Sequence, residues 1–318
     1  MTRRRGGDPP ARPSKAVGVI TTFMVAAIAG CASAATHPAG STPTPGPATP
    51  LTTPTAAAAI TLAGCPRPVT RAALHVVHRF GFSPDDIAVD GSGRLWVSAR
   101  TANQLVTLSA DGSALEATTV TGGPEGVAVG GSGIYVAQQT LNAIEEITPQ
   151  RHTVVTFPNR TANAGIDGIS IGGTSQTLLV PDSPDGTMIE VSLVGPPNPQ
   201  VMATHLGRPV SATVAPSGDI FIASESTPGL VVLTTSGSVR RIGGFTDLDE
   251  VVFYGGLLYV TELNRHDVVA VDPASGASVV LTSNLPAPQG LAVTASGILE
   301  IADATTDTLY SLPTCGVA

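Results

Sequence analysis

The sequence predicts an all-β fold, a six-bladed β-propeller with an N-terminal strand closing the last blade, and three observations lead there. Glycine (35) and proline (27) interrupt the 318 residues too often for long helices. Hydrophobic residues reach 42% while aromatic residues stop at 4%, so the core has to be built from Val, Ile, Leu and Ala, which suits many short strands. The third observation is a repeat. Pro84-Asp85-Asp86-Ile87-Ala88-Val89 returns as Pro124-Glu125-Gly126-Val127-Ala128-Val129 and Ile166-Asp167-Gly168-Ile169-Ser170-Ile171. It returns again as Pro209-Val210-Ser211-Ala212-Thr213-Val214, Leu248-Asp249-Glu250-Val251-Val252-Phe253 and Pro288-Gln289-Gly290-Leu291-Ala292-Val293. The starts at 84, 124, 166, 209, 248 and 288 lie 40, 42, 43, 39 and 40 residues apart, the period of a four-stranded blade.

Ahead of the repeats, Arg3, Arg4, Arg5, Arg12 and Lys15 precede an apolar run over 16–30, the pattern of an export signal and too short to span a bilayer comfortably. The run ends in Ile28-Ala29-Gly30-Cys31, which resembles the lipobox of bacterial lipoproteins. The resemblance implies that 1–30 is a lipoprotein signal peptide, with cleavage before Cys31 and lipid on its sulfur. The alternative is an ordinary secretory signal cleaved near Ala35, which would discard Cys31. Loss of 1–30 removes five of the 16 basic residues and one of the 24 acidic ones, so the exported part is distinctly acidic. With Lys15 the only lysine and a net charge of -8, the chain has no basic footprint for nucleic acid. From Ala32 to about Ala59 the residues are mostly Ala, Thr, Pro, Ser and Gly, too polar and too small to form a core; 31–64 therefore reads as a lipidated tether before a propeller over 65–318. The acyl chains on Cys31 would suffice as the sole membrane anchor on the outer face of the cell membrane.

Within each unit a short apolar run meets a turn such as Gly91-Ser92-Gly93 or Gly255-Gly256, followed by a second run such as Leu95-Trp96-Val97 or Leu258-Tyr259-Val260. A third and usually a fourth run follow, and these are hairpin signals. The last unit stops after its third strand, at Leu309 to Leu312, while Ala73 to Phe80 has strand composition and lies before the first unit. Those N-terminal residues are expected to supply the missing outer strand. With Cys31 assigned to lipid, Cys65 and Cys315 remain at the two ends of the propeller, and in an oxidising compartment they are expected to form a disulfide.

The run Pro-x-Gly-Ile-Ala-Val, a Gly turn and Leu-Tyr-Val-x-Asp/Glu is similar to the NHL repeat and to the SMP-30/gluconolactonase-like six-bladed propellers. Tyr259-Val260-Thr261-Glu262-Leu263-Asn264-Arg265-His266-Asp267-Val268 is the best part of that match. In a propeller, the loops entering the inner strands and those leaving the second strands emerge on one face. The former carry Asp85, Asp86, Glu125, Asp167, Asp249, Glu250 and Gln289; the latter carry Gln138, Asp182, Glu225, Glu262 and Asp303. Such oxygen ligands at a channel mouth suit a hard divalent cation such as Ca²⁺, and Asp85, Glu125, Asp167 and Asp249 are the candidate ligands. The same acids could equally cap turns. The resemblance implies a divalent ion held by Glu, Asn and Asp; Asp167-Gly168 resembles its Pro-Asp-Gly element with Ile166 in place of Pro, whereas Glu125 stands at a position like that of its Asn. No Glu-Gly-Pro-x-Trp segment opens the first blade.

Other catalytic patterns fail. Gly168-Ile169-Ser170-Ile171-Gly172 matches Gly-x-Ser-x-Gly, but Ser170 falls inside a strand with no helix after it. His75 and His78 would point to opposite faces of a strand. Two functions remain: a monomeric cell-surface module that binds a small molecule or protein on its acidic loop face, or a divalent-metal-dependent hydrolase of lactones or esters.

Overall fold

The computed structural model describes residues 62–130, 133–148, 150–158 and 165–316. Cys31, the 1–30 signal and most of the 31–64 tether lie outside them. Among the described residues no helix is long and apolar enough to cross a membrane.

Six sheets follow one another along the chain. Blade 1 consists of Ile87–Val89, Leu95–Ala99, Gln104–Leu108 and Ala114–Thr119, and blade 2 of Pro124–Gly130, Gly133–Gln138, Ala143–Thr148 and His152–Thr156. Blade 3 holds Ser170–Ile171, Thr177–Asp182, Thr187–Ser192 and Gln200–Ala203; blade 4 holds Pro209–Val214, Ile220–Ser224, Leu230–Leu233 and Val239–Ile242. Blade 5 runs through Leu248–Tyr254, Leu257–Glu262, Asp267–Val271 and Ser278–Ser283. Blade 6 has Pro288–Val293, Ile298–Asp303 and Thr308–Pro313, and its outer strand is His75–Arg79, antiparallel to the third with His75 opposite Ser311. The fold is a six-bladed β-propeller.

The outer edge of blade 5 carries an addition that the repeat does not announce. Val69–Thr70 pairs in parallel with Thr282 and Ser283 there. Beside it Cys65 and Cys315 are disulfide-bonded, a link spanning 250 residues of sequence. The Cys315 N–H donates to the Tyr259 hydroxyl at 3.0 Å, tying the C-terminal end to the second strand of blade 5.

The core lies between blades, as the alternation of strand side chains requires. At one place in the second strand of blades 1 to 5 a large apolar side chain packs toward the next blade: Trp96, Tyr135, Leu179, Phe221 and Tyr259 are all buried there. Register fixes the equivalence, since these residues lie opposite Ala88, Ala128, Ser170, Thr213 and Val252 of their inner strands. In blade 6 the residue opposite Ala292 is Glu300.

Around the axis the inner strands are joined by backbone bonds. Gly126 N–H donates to the Asp167 carbonyl at 3.1 Å, Gly168 N–H to Val210 at 2.7 Å and Gly290 N–H to Asp85 at 2.9 Å. Glycine is required at Gly126, because a Cβ there would lie 2.5 Å from the Ile169 nitrogen and 2.6 Å from the Asp167 oxygen. This contact is the physical reason for the Pro-x-Gly signature. Where the third repeat position is not glycine, a side chain works instead: Asp86 accepts the Val127 N–H at 2.8 Å, and Ser211 bonds the Glu250 carboxyl.

Candidate functional site

The site is the mouth of the central channel, at the end of the blades where the chain enters the inner strands. In four blades the inner strand shifts register just there, between Pro124 and Val127, Pro209 and Ser211, Leu248 and Val251, and Pro288 and Leu291. A bulge turns a side chain out of the strand's alternation. It thereby sends Glu125, Asp249 and Gln289 toward the axis. The resulting recess, of about 100 Å³, is lined by Asp85, Glu125, Asp167 and Asp249, with Asp86, Glu250 and Glu225 also in its wall. The four acids expected from the repeat are thus brought together. Below them a channel of about 250 Å³ is walled by inner-strand side chains of mixed character, Val89, Val129, Ile171 and Val252 beside Ser170 and Thr213.

Two arginines that the repeat did not flag sit among these acids. Arg208 reaches Asp167 at 3.0 Å and also bonds Glu225; Arg100 reaches Glu125 at 3.3 Å. Arg208 is held in place by its own backbone, whose N–H donates to Ser226 Oγ at 2.8 Å. Asp167 is saturated: Oδ1 accepts from Gln139 Nε2 at 2.5 Å, and Oδ2 accepts from Ser183 Oγ at 2.7 Å and from Arg208. Asp86 is also structural, since it accepts the N–H of Ile87 at 2.6 Å as well as that of Val127. Glu250 accepts the Val251 N–H at 2.8 Å. Among the described residues, the carboxylates of Asp85 and Asp249 accept no hydrogen bond.

Crowding and burial in this recess favour the protonated forms. Burial first, then the charges of Asp86 and Asp167, pushes the Asp85 carboxyl up to about 7. Burial likewise raises Asp86 to about 7 against the pull of its backbone donors. Glu125 rises to about 11 through burial and then the charge and hydrogen bond of Asp167. Asp249 and Glu250 lie well above the ordinary carboxylate range, again chiefly through burial.

The donor set as arranged does not fit a resident divalent metal. Such an ion needs several free, ionised oxygens converging at 2.3–2.6 Å for Ca²⁺, by general coordination geometry. Here Asp167 is fully engaged, two guanidinium groups compete for the same carboxylates, and among the described residues no three His, Cys, Asp or Glu side chains are grouped to hold a metal. The recess is also well below the roughly 300–1,000 Å³ of small-molecule sites.

The acids of the loops after the second strands go elsewhere, apart from Glu225. Glu262 accepts the Thr246 N–H at 3.1 Å, Asp303 accepts from Thr306 at 2.9 Å, and Gln138 donates to the Thr121 carbonyl and to Glu145. Asp182 accepts from the Asp185 N–H at 3.4 Å. These are the turn-capping roles that Asp and Glu offer in any repeat. His266 is a left-handed loop residue with φ 60°, and His75 is exposed, away from the mouth.

No protein-family model matches the chain, and no curated protein matches it in sequence. Solved structures do match in shape. A gluconolactonase from Xanthomonas campestris is 15% identical over 75% of this chain and 88% of that chain, with a TM-score of 0.65. Virginiamycin B lyase from Staphylococcus aureus is 15% identical over 76% and 97%, with a TM-score of 0.58. A chain of a nidogen/laminin complex is 21% identical over 63% and 80%, with a TM-score of 0.56. At these identities the likeness is one of fold: a six-bladed propeller of the gluconolactonase-like and lyase-like shape.

Proposed function

We propose that the chain is a non-catalytic binding propeller, held on the outer face of the cell membrane by lipid on Cys31, whose acidic mouth takes a small cationic group of its ligand. One observation carries the reading. Asp85 and Asp249 face the same recess of about 100 Å³ with no hydrogen-bond donor of their own, while Asp86, Asp167, Glu225 and Glu250 are committed to a backbone N–H, a hydroxyl or an arginine and Glu125 has one oxygen on Arg100 and the other buried without a partner. An ammonium or guanidinium head would supply the missing donors and draw both acids into their ionised form.

Thermal denaturation in millimolar methylguanidinium tests this. The parent is expected to gain stability, and the Asp85→Asn, Asp249→Asn double variant to show no gain. Equal shifts in both proteins, or none in the parent, would sink the reading. Anchoring is tested separately: Cys31→Ala is expected to leave the membrane fraction, and retention there at unchanged precursor size would refute the lipid anchor.

The second reading is a metal-dependent lactonase or esterase, favoured by the likeness to a gluconolactonase. The matched structures also include a nidogen/laminin complex, so the fold by itself favours neither. Turnover of a lactone and ester panel in Ca²⁺, Mg²⁺, Mn²⁺ or Zn²⁺, abolished in an Asp167→Ala, Glu125→Ala variant, would replace the binding reading with this one.

A further inference from the structure

The five wedges Trp96, Tyr135, Leu179, Phe221 and Tyr259 fill the gaps between successive blades, and the sixth position is Glu300. The gap it should fill, between blades 6 and 1, contains a recess of about 650 Å³, open to solvent at the end of the blades opposite the acidic mouth. Its walls are the turns 91–93 and 110–111 of blade 1, the turn 294–296 of blade 6, and the apolar side chains of Val77, Ile298 and Leu312. Glu300 lines this space at 5% exposure, and its Oε2 is buried with no hydrogen-bond partner. An unpaired buried carboxyl is costly, and a fold under no other demand would place another ring there.

We propose that this seam is a second ligand site, which takes a small arylalkyl amine: the ring occupies the wedge position that blade 6 lacks, and the ammonium group bonds Glu300. The volume lies within the range of small-molecule sites, roughly 300–1,000 Å³. The charge of the walls points the same way. Besides Glu300 the ionisable lining residues are Asp111 and His75, with no lysine or arginine. Hydrogen bonds from Ser109 and Ser113 hold Asp111 down to about 2, so it contributes a carboxylate at the rim at neutral pH. Burial raises Glu300 to about 7, which is the state of a carboxyl that has desolvated without finding a donor. The site is independent of the channel mouth, where a recess of about 100 Å³ has no room for a ring.

The test uses 2-phenylethylamine and its neutral analogue 2-phenylethanol, titrated calorimetrically into the parent and into two variants. The parent is expected to bind the amine at least about tenfold more tightly than the alcohol, the difference expected of one charge-assisted bond to a buried carboxyl. Glu300→Gln keeps the shape and is expected to remove that preference. Glu300→Tyr restores the repeat and is expected to abolish binding of both probes, with the melting temperature raised by roughly 3–6 °C as the void fills. Equal affinity for the two probes in the parent would overturn the proposal. So would an amine preference that survives in Glu300→Gln, or no heat of binding at millimolar probe.

Discussion

Carboxyls are buried at both ends of this propeller, and the two ends handle them in opposite ways. At the channel mouth, seven acids share about 100 Å³, and five of them are engaged by backbone N–H groups, hydroxyls or two arginines while Asp85 and Asp249 stand among them. At the seam between blades 6 and 1 a single acid, Glu300, sits beside about 650 Å³ with no partner. The first arrangement is part of how the ring closes on its axis. The second departs from the ring's own repeat. The comparison teaches that the number of acids in a place is a poor guide to which of them the fold can spare.

Removing one carboxyl from each end should separate these roles. Asp86→Ala strands the N–H groups of Ile87 and Val127 in the interior, and equilibrium urea unfolding should find a loss of about 2–4 kcal/mol. Glu300→Leu, which restores the kind of residue found at Leu179, should instead yield a gain of about 1–2 kcal/mol in the same measurement. A loss at both positions would erase the distinction.

A further contrast lies in the pH dependence. The Asp85 and Asp86 carboxyls titrate near 3.8 in the unfolded chain and about 7 in the fold, and Glu300 near 4.5 and about 7. A raised folded value means that the native state binds more protons between the two, so these contributions are fully present below pH 4 and are lost as pH rises to 7. The parent should therefore become easier to unfold across that window. Glu300→Gln should flatten the slope only slightly, because the mouth carboxyls remain. A profile flattened completely by Glu300→Gln would mean that the mouth acids are already ionised in the fold.

The six blades were legible because the contact that repeats is a backbone contact. Gly126, Gly168 and Gly290 must lack a Cβ where the neighbouring inner strand approaches, so the sequence keeps a fixed mark at three of the six crossings. The convergence of Asp85, Glu125, Asp167 and Asp249 was legible for the same reason, as a shared repeat position implies a shared place around the axis. What those acids would face was not. Arg100 and Arg208 come from loops on long side chains whose reach no periodicity records, and they turn an apparent cation cage into a mixed cluster. The parallel strand Val69–Thr70 is two residues long, too short for any alternation to show. Glu300 does have a signal in the sequence: a column of Trp, Tyr, Leu, Phe and Tyr down five units, broken once.

The disulfide also has a mechanical consequence. A pull on the chain from the N-terminal side arrives at Cys65 before it reaches Val69–Thr70 or His75–Arg79. With the bond to Cys315 intact, the load crosses to the C-terminal end and runs into Thr308–Pro313, a strand flanked by partners on both sides within blade 6. With the bond reduced, the same pull would first strip two parallel residue pairs from blade 5 and then unzip the outer strand of blade 6 from its end, one rung at a time. Oxidation thus decides whether tension is borne by an interior strand or by two edges.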